Sequence, residues 1–231
     1  MARSSAELAA TTRWSERWPG SRVGAMRMSG VANPQSDPVL DETLDATAAE
    51  LRARHAGATR ADLLARPELA AYAGYYRAFD KTYHVLLQLE SVVLKGKPIR
   101  GRGVLVAAMF GAELTDGLLT AGHDASLLDG GLTVDVAVGG DEYVGIGGRP
   151  LTAASGDMCI RDRSGIVSSI VHGPDDRTRL GPATTSVVFT TYAPAGVGRD
   201  AIERHLHSIA DSVRVVYPAA SVDSVAIVEA L

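Results

Sequence analysis

"GDMCIRDRSGIVSSIVHG", residues 156–173, decides how this chain is built. Two short runs of alternating side chains flank an Asp-x-x-Gly turn at Asp162–Gly165. Alternation with period two reads as strand, because successive side chains of an extended chain point to opposite faces. Asp157, Cys159 and Arg161 therefore share one face, and Met158, Ile160 and Asp162 the other. Ser168 and Ser169 point apart, so at most one faces a pocket. Two strands joined by so short a turn lie antiparallel. The same alternation recurs in "LTVDVAVG" (132–139), "EYVGI" (142–146) and "SVVFTTYAP" (186–194), parted by Gly-rich turns.

Toward the N-terminus the period changes. "TYHVLLQLESVVLKGK" (82–97) predicts a buried helix from about Tyr83 to Leu94, stopped by Gly96 and Pro98. "VLVAAMFGAELTDG" (104–117) predicts another. A helix starting near Pro67 carries Leu69, Tyr72, Tyr76 and Phe79 on one face. From Asp41, read as a cap, to His55 the pattern is helical, with Leu44, Ala48 and Leu51 together. "RVGAMRMSGV" (22–31) alternates as a strand with Val23 and Ala25 inward. At the other end Ile202, Leu206, Ile209 and Val213 mark an amphipathic helix, and "VDSVAIVEAL" (222–231) reads as a closing edge strand. Residues 1–21, with Trp14 and Trp18, read as an N-terminal extension or short helix before a single domain over 22–231. The expected class is α+β (α/β): helices first, then a mostly antiparallel sheet with helices packed on it.

The totals agree with a globular domain. The 231 residues are 46% hydrophobic and 22% charged, and the 24 glycines exceed the usual share of about 7%. A net charge of −4 excludes a surface coated in positive charge, so any RNA contact needs a local basic patch. The lone Cys159 excludes an internal disulfide and a multi-cysteine metal centre. No run approaches a membrane span of about 18 apolar residues, and the start lacks the apolar core of a signal peptide. A cytoplasmic protein without cofactor or metal is expected.

No phosphate loop, zinc helix or Gly-x-Ser-x-Gly elbow is present. Four stretches remain. In "LLTAGHD" (118–124), a polar turn after a helix places Thr120, His123 and Asp124 at a pocket mouth, and a neutral imidazole beside a carboxylate can orient a water. In "SSIVHGPDDRTRL" (168–180), Ser169, His172, Arg177 and Thr178 surround a Gly-Pro corner, and Arg177 and Arg179 suit a phosphate or carboxylate. There Asp176 also has the spacing to pair with Arg179. Cys159 reads as a buried small hydrophobe. "KGKPIRGR" (95–102) is the one basic cluster uninterrupted by acid along the chain, with Lys95, Lys97, Arg100 and Arg102 as RNA-backbone candidates. His84 beside it suits stacking on a base or an aromatic ligand, whereas periodicity puts Tyr83 in the core. His205 and His207, two apart on a helix, point in different directions.

In order, "VVLKGKPI", "AGHDASLL", "GDMCIRDRSGIVSSIVHG" and "TRLGPATTSVVFTTYAPAG" resemble the B-three/B-four domain of the phenylalanyl-tRNA synthetase beta subunit, and more closely its free-standing bacterial relatives. The resemblance runs from about Arg22 to Pro218. It rests on Lys95-Gly96, Asp124, Asp162 with Gly165, Gly173 and the pair Thr184-Thr185. The family's usual Asp and Asn on the helix after the Lys-Gly loop are replaced here by "VAAMFGAELTDG". The resemblance implies an α/β domain, a tRNA or aminoacyl-tRNA partner, and hydrolysis of an amino acid wrongly joined to tRNA, without a synthetase's ATP-binding core. On that reading His123, Asp124 and His172 are the catalytic candidates. Glu113, Thr120, Ser169, Arg177 and Thr178 are substrate-binding candidates. Backbone N–H groups near Gly122 or Gly173 would meet an oxyanion, and Met109 or Phe110 would shape an amino-acid pocket. The alternatives are a non-catalytic module for tRNA or an amino-acid-like small molecule, or a small-molecule enzyme on the same scaffold.

Overall fold

The computed structural model describes residues 8–231. The chain opens with strand β1 (Leu8–Ala10), the short helix α1 (Thr12–Arg17) and strand β2 (Arg22–Ser29). Five helices follow: α2 (Pro38–Arg54), α3 (Arg60–Leu64), α4 (Pro67–Arg77), α5 (His84–Val93) and α6 (Val104–Asp116). The strand-rich part holds β3 (Leu119–Asp124), β4 (Leu132–Val136), β5 (Glu142–Gly145), β6 (Arg149–Thr152), β7 (Met158–Asp162), β8 (Gly165–Ser169), β9 (Gly173–Pro174) and β10 (Ser186–Ala193). Helix α7 (Arg199–Val216) and strand β11 (Ser221–Glu229) close the chain.

The strands form two sheets and a separate ribbon. One sheet runs β11-β2-β10-β3, all antiparallel, with Thr191 opposite both Gly24 and Thr120. The other runs β1-β4-β7-β8-β9, where only β1 and β4 are parallel. The ribbon β5–β6 is a separate two-stranded sheet, tied to the bend after β9 by a bridge between Gly145 and Asp175. The fold is thus α+β with predominantly antiparallel strands, as the alternation in residues 132–194 predicts, but the strands divide between two sheets.

The α7 stripe of Ile202, Leu206, Ile209 and Val213 is wholly buried. Pro67 stands in the first turn of α4, where its missing N–H costs nothing. Helix α2 begins at Pro38, three residues before Asp41. Asp37 is the cap, accepting from Val39 N (2.9 Å), and Pro38 takes the first helical position. Of the two prolines in "ANPQSDP" (32–38), Pro38 is thus a helix starter. At the end of α6, Gly117 adopts the left-handed conformation (φ 79°) that a side chain disfavours, and the chain turns straight into β3. Residues 119–124 are consequently a strand, buried throughout, and not a polar turn.

The N-terminal segment holds the short helix and is also stitched to the second sheet. Leu8 pairs with Leu132, Trp14 is fully buried, and the Asp135 carboxylate accepts from Thr11 Oγ1 (2.8 Å) and Arg13 Nη2 (2.7 Å). Among the described residues no helix is long and apolar enough to cross a membrane.

Candidate functional site

Helices α5 and α6, the free edge of β3 and the bend after β8 enclose a cavity of about 730 Å³. Its wall is mostly apolar, with Val106, Met109 and Phe110 from α6 and Leu119 and Ala121 from β3. Ile170, Leu180 and Tyr192 complete the apolar part. The polar lining consists of His84, Gln88, Glu113, Thr120 and Ser169, and the exposed Arg100, Arg102, Arg179 and Ile146 stand at the open end.

Strand position explains why the β3 backbone faces the cavity. One edge of β3 pairs with β10. At the other edge Thr120 N–H donates to Glu113 Oε1 and Asp124 N–H to Thr178 O, each at 2.7 Å. N–H groups two residues apart on a strand point the same way, so the Gly122 N–H between them points out from this edge too. A side chain at Gly122 would bring its Cβ within 2.7 Å of Leu180 Cδ1, so glycine is what lets the backbone reach the wall.

Glu113 is fully buried, and burial raises its pKa to about 8 against the Thr120 N–H bond that works to lower it. At neutral pH it is a carboxylic acid. Oε1 accepts from Thr120, so the proton resides on Oε2, which is buried with no protein partner. His84 is also neutral, its pKa lowered by desolvation between the walls. Tyr76 Oη donates its only proton to Ile170 O (2.5 Å), so at 3.3 Å it can only accept from His84 Nδ1–H. That leaves His84 Nε2 as a bare acceptor. Ser169 Oγ donates to Asp157 Oδ2 (2.5 Å) and accepts from His172 N (3.1 Å). Burial raises Asp157 to about 6, against bonds from Ser169 and Tyr75.

The structure brings Glu113, Thr120, Ser169, Arg100 and Arg102 to the cavity, together with Gly122, Gly173, Met109 and Phe110. Thr120 spends its hydroxyl on Thr191 Oγ1 (2.9 Å) and on His205 Nε2 (2.7 Å), whose Nδ1 meets Asp116 (2.9 Å). The other candidates lie off the wall. The 173–180 bend does reach the end of β3, through a bridge between His123 and Arg179, but Asp175, Arg177 and Thr178 are engaged within the protein. Thr178 donates its hydroxyl proton to Asp175 and accepts from His123 Nδ1 (2.8 Å), leaving His123 Nε2 buried without a protein partner. Desolvation drops His123 to about 4, so it stays neutral. Asp124 accepts from Ser126 Oγ (2.6 Å) and Thr184 Oγ1 (2.7 Å); burial works to raise its pKa, and these bonds outweigh it and hold it low. Arg177 Nη2 donates to both oxygens of Asp162 (2.9 and 2.9 Å). His172 is half-buried beside the lining, lowered by desolvation and by Lys81.

The basic run is interrupted by acid in space though not in sequence. Arg100 meets Asp45 through two bonds (2.8 and 2.9 Å), whereas Lys95 and Lys97 stand exposed on the loop. Cys159 is buried, and burial lifts its thiol to about 12. Among the described residues no three His, Cys, Asp or Glu side chains cluster to hold a metal ion.

Fold and cavity together define an α+β domain with a largely apolar chamber of about 730 Å³. No protein-family model and no curated protein matches the chain. Among solved structures it is similar to an N-terminal fragment of the phenylalanyl-tRNA synthetase beta-subunit from Pyrococcus horikoshii, at 9% identity and a TM-score of 0.45. The match covers 90% of this chain and 48% of that one, so the chain spans about half the length of that neighbour.

Proposed function

We propose that the protein is a tRNA-associated domain whose cavity receives the aminoacyl end of a charged tRNA and hydrolyses its ester. The carrying observation is the chamber itself, apolar over most of its wall, with an unpartnered Glu113 Oε2–H inside and arginines at the opening. The motif resemblance over 22–218 supplies the tRNA. In this reading the amino-acid side chain lies against Met109 and Phe110, and Glu113 donates to a polar atom on it. His84 Nε2 takes a proton from the attacking water and returns it to the ribose oxygen as the ester C–O bond breaks, a role suited to an imidazole neutral at physiological pH. Gly122 N–H faces the developing oxyanion. His123, Asp124 and His172 act from behind, fixing the end of β3 and the bend that carries Gly173.

A deacylation assay with mischarged tRNA tests this. Purified protein releases the amino acid, and His84→Ala slows release by about a hundredfold or more, the scale of general-base catalysis. Absence of release, with charged and uncharged tRNA bound equally, overturns the proposal. The second reading, a free amino-acid-like small molecule, is favoured by the ion pairs of Arg100 with Asp45 and Arg179 with Asp176, which offset part of the positive charge at the cavity mouth. Binding to tRNA that ignores salt concentration would decide for it.

A further inference from the structure

The lining of the cavity is electrically one-sided. Its one acidic side chain, Glu113, is buried and protonated, whereas three arginines stand at the opening. Arg100 is matched by Asp45 and, at 3.7 Å, by Asp41. Arg102 has no ion pair among the described residues. Arg179 donates through Nη1 alone to Asp176 Oδ1 (3.0 Å), and its other N–H groups are left for a ligand. The same Asp176 oxygen accepts from Gly147 N (3.0 Å) at the tip of the β5–β6 ribbon, next to Ile146. Asp176 thus fixes the Arg179 head against the rim, so less side-chain freedom is lost when an anion binds.

The geometry points to an oxyanion subsite at the cavity mouth, in which Arg102 and Arg179 hold the carboxylate or phosphate of a ligand whose apolar body fills the chamber beneath Ile146. It rests on the cavity being a ligand chamber and deepens that reading. A terminal-nucleotide phosphate and the carboxylate of a free acid share this chemistry, because a guanidinium fork matches both.

The test uses the full chain and two fluorescent probes with one ring body. 8-Anilinonaphthalene-1-sulfonate carries an anion, and N-phenyl-1-naphthylamine does not. Both bind, and Ala121→Trp, which fills the chamber, removes both. Arg102→Gln and Arg179→Gln each weaken the sulfonate about tenfold and leave the neutral probe within about twofold. Equal weakening of both probes, or no weakening of either, overturns the subsite while the chamber reading stands. Failure of the neutral probe to bind overturns the chamber reading itself. Displacement of the sulfonate by the trinucleotide CCA assigns the anion to phosphate, and displacement by N-acetyl-L-phenylalanine assigns it to carboxylate. Displacement by neither counts against the subsite.

Discussion

Replacing Glu113 by glutamine isolates the effect of a proton that the fold forces on a buried carboxyl. Glutamine has the shape of the protonated acid, and its Oε1 still accepts from Thr120 N–H. In the unfolded chain the carboxyl ionises at its ordinary value of 4.5, whereas in the fold burial holds it protonated to about 8. The folded state therefore binds more protons, and wild-type stability falls as pH rises through this window. Each pH unit above 4.5 is worth about 1.4 kcal/mol, which accumulates to about 3 kcal/mol near pH 7. Glu113→Gln does not titrate and escapes that loss. Urea unfolding of both proteins from about pH 4 to about pH 8 should show the variant equal to wild type in acid and more stable by about 3 kcal/mol at neutrality. A stability difference independent of pH would refute the reasoning, because Glu113 would then carry the same charge in both states.

Three further changes probe the surroundings of the cavity. Asp157→Asn replaces an acceptor of Ser169 O–H and Val171 N–H with an amide that cannot accept from both while keeping Tyr75; urea unfolding should show a loss of about 2–3 kcal/mol. Arg177→Met leaves the buried Asp162 carboxylate with only the N–H groups of Asp129 and Ser164 and should cost about 2–3 kcal/mol in the same assay, a neutral result showing that these two bonds suffice. Trp14→Ala should cost about 3–5 kcal/mol in the same assay if the N-terminal segment belongs to the core; a neutral result would make it an appendage.

Much of the architecture is legible in the sequence because local patterns carry it. Helices α5 and α6 announce themselves as apolar runs closed by glycine, and β7–β8 as alternation around a turn. What escapes reading has non-local causes. Residues 8–10 have no strand pattern; they are a strand because β4 presents an open edge to them. Strand β3 lacks alternation because both its faces are covered. The division of the strands between two sheets depends on partners distant in sequence.

The residues that look reactive in sequence are dense in "HGPDDRTRL", and two local pairs form there, Thr178 with Asp175 and Arg179 with Asp176, while Arg177 reaches Asp162 and Thr178 also meets His123. The chamber is walled instead by stretches that read as plain core, because a cavity wall and a packed core share one composition. The signal that separates them is a polar residue inside an apolar helical run. Such a residue must be met by a partner or left facing space. Glu90 in "LLQLESVV" is met by Arg60. Gln88 in the same run has an Oε1 without a protein partner, and Glu113 in "MFGAELT" has only a backbone N–H on one of its two oxygens. Both line the cavity. Trp14 Nε1 and His123 Nε2 are likewise buried without a protein partner but lie off the cavity wall, so it is the combination of a bare polar atom with a place on the wall that singles out Gln88 and Glu113.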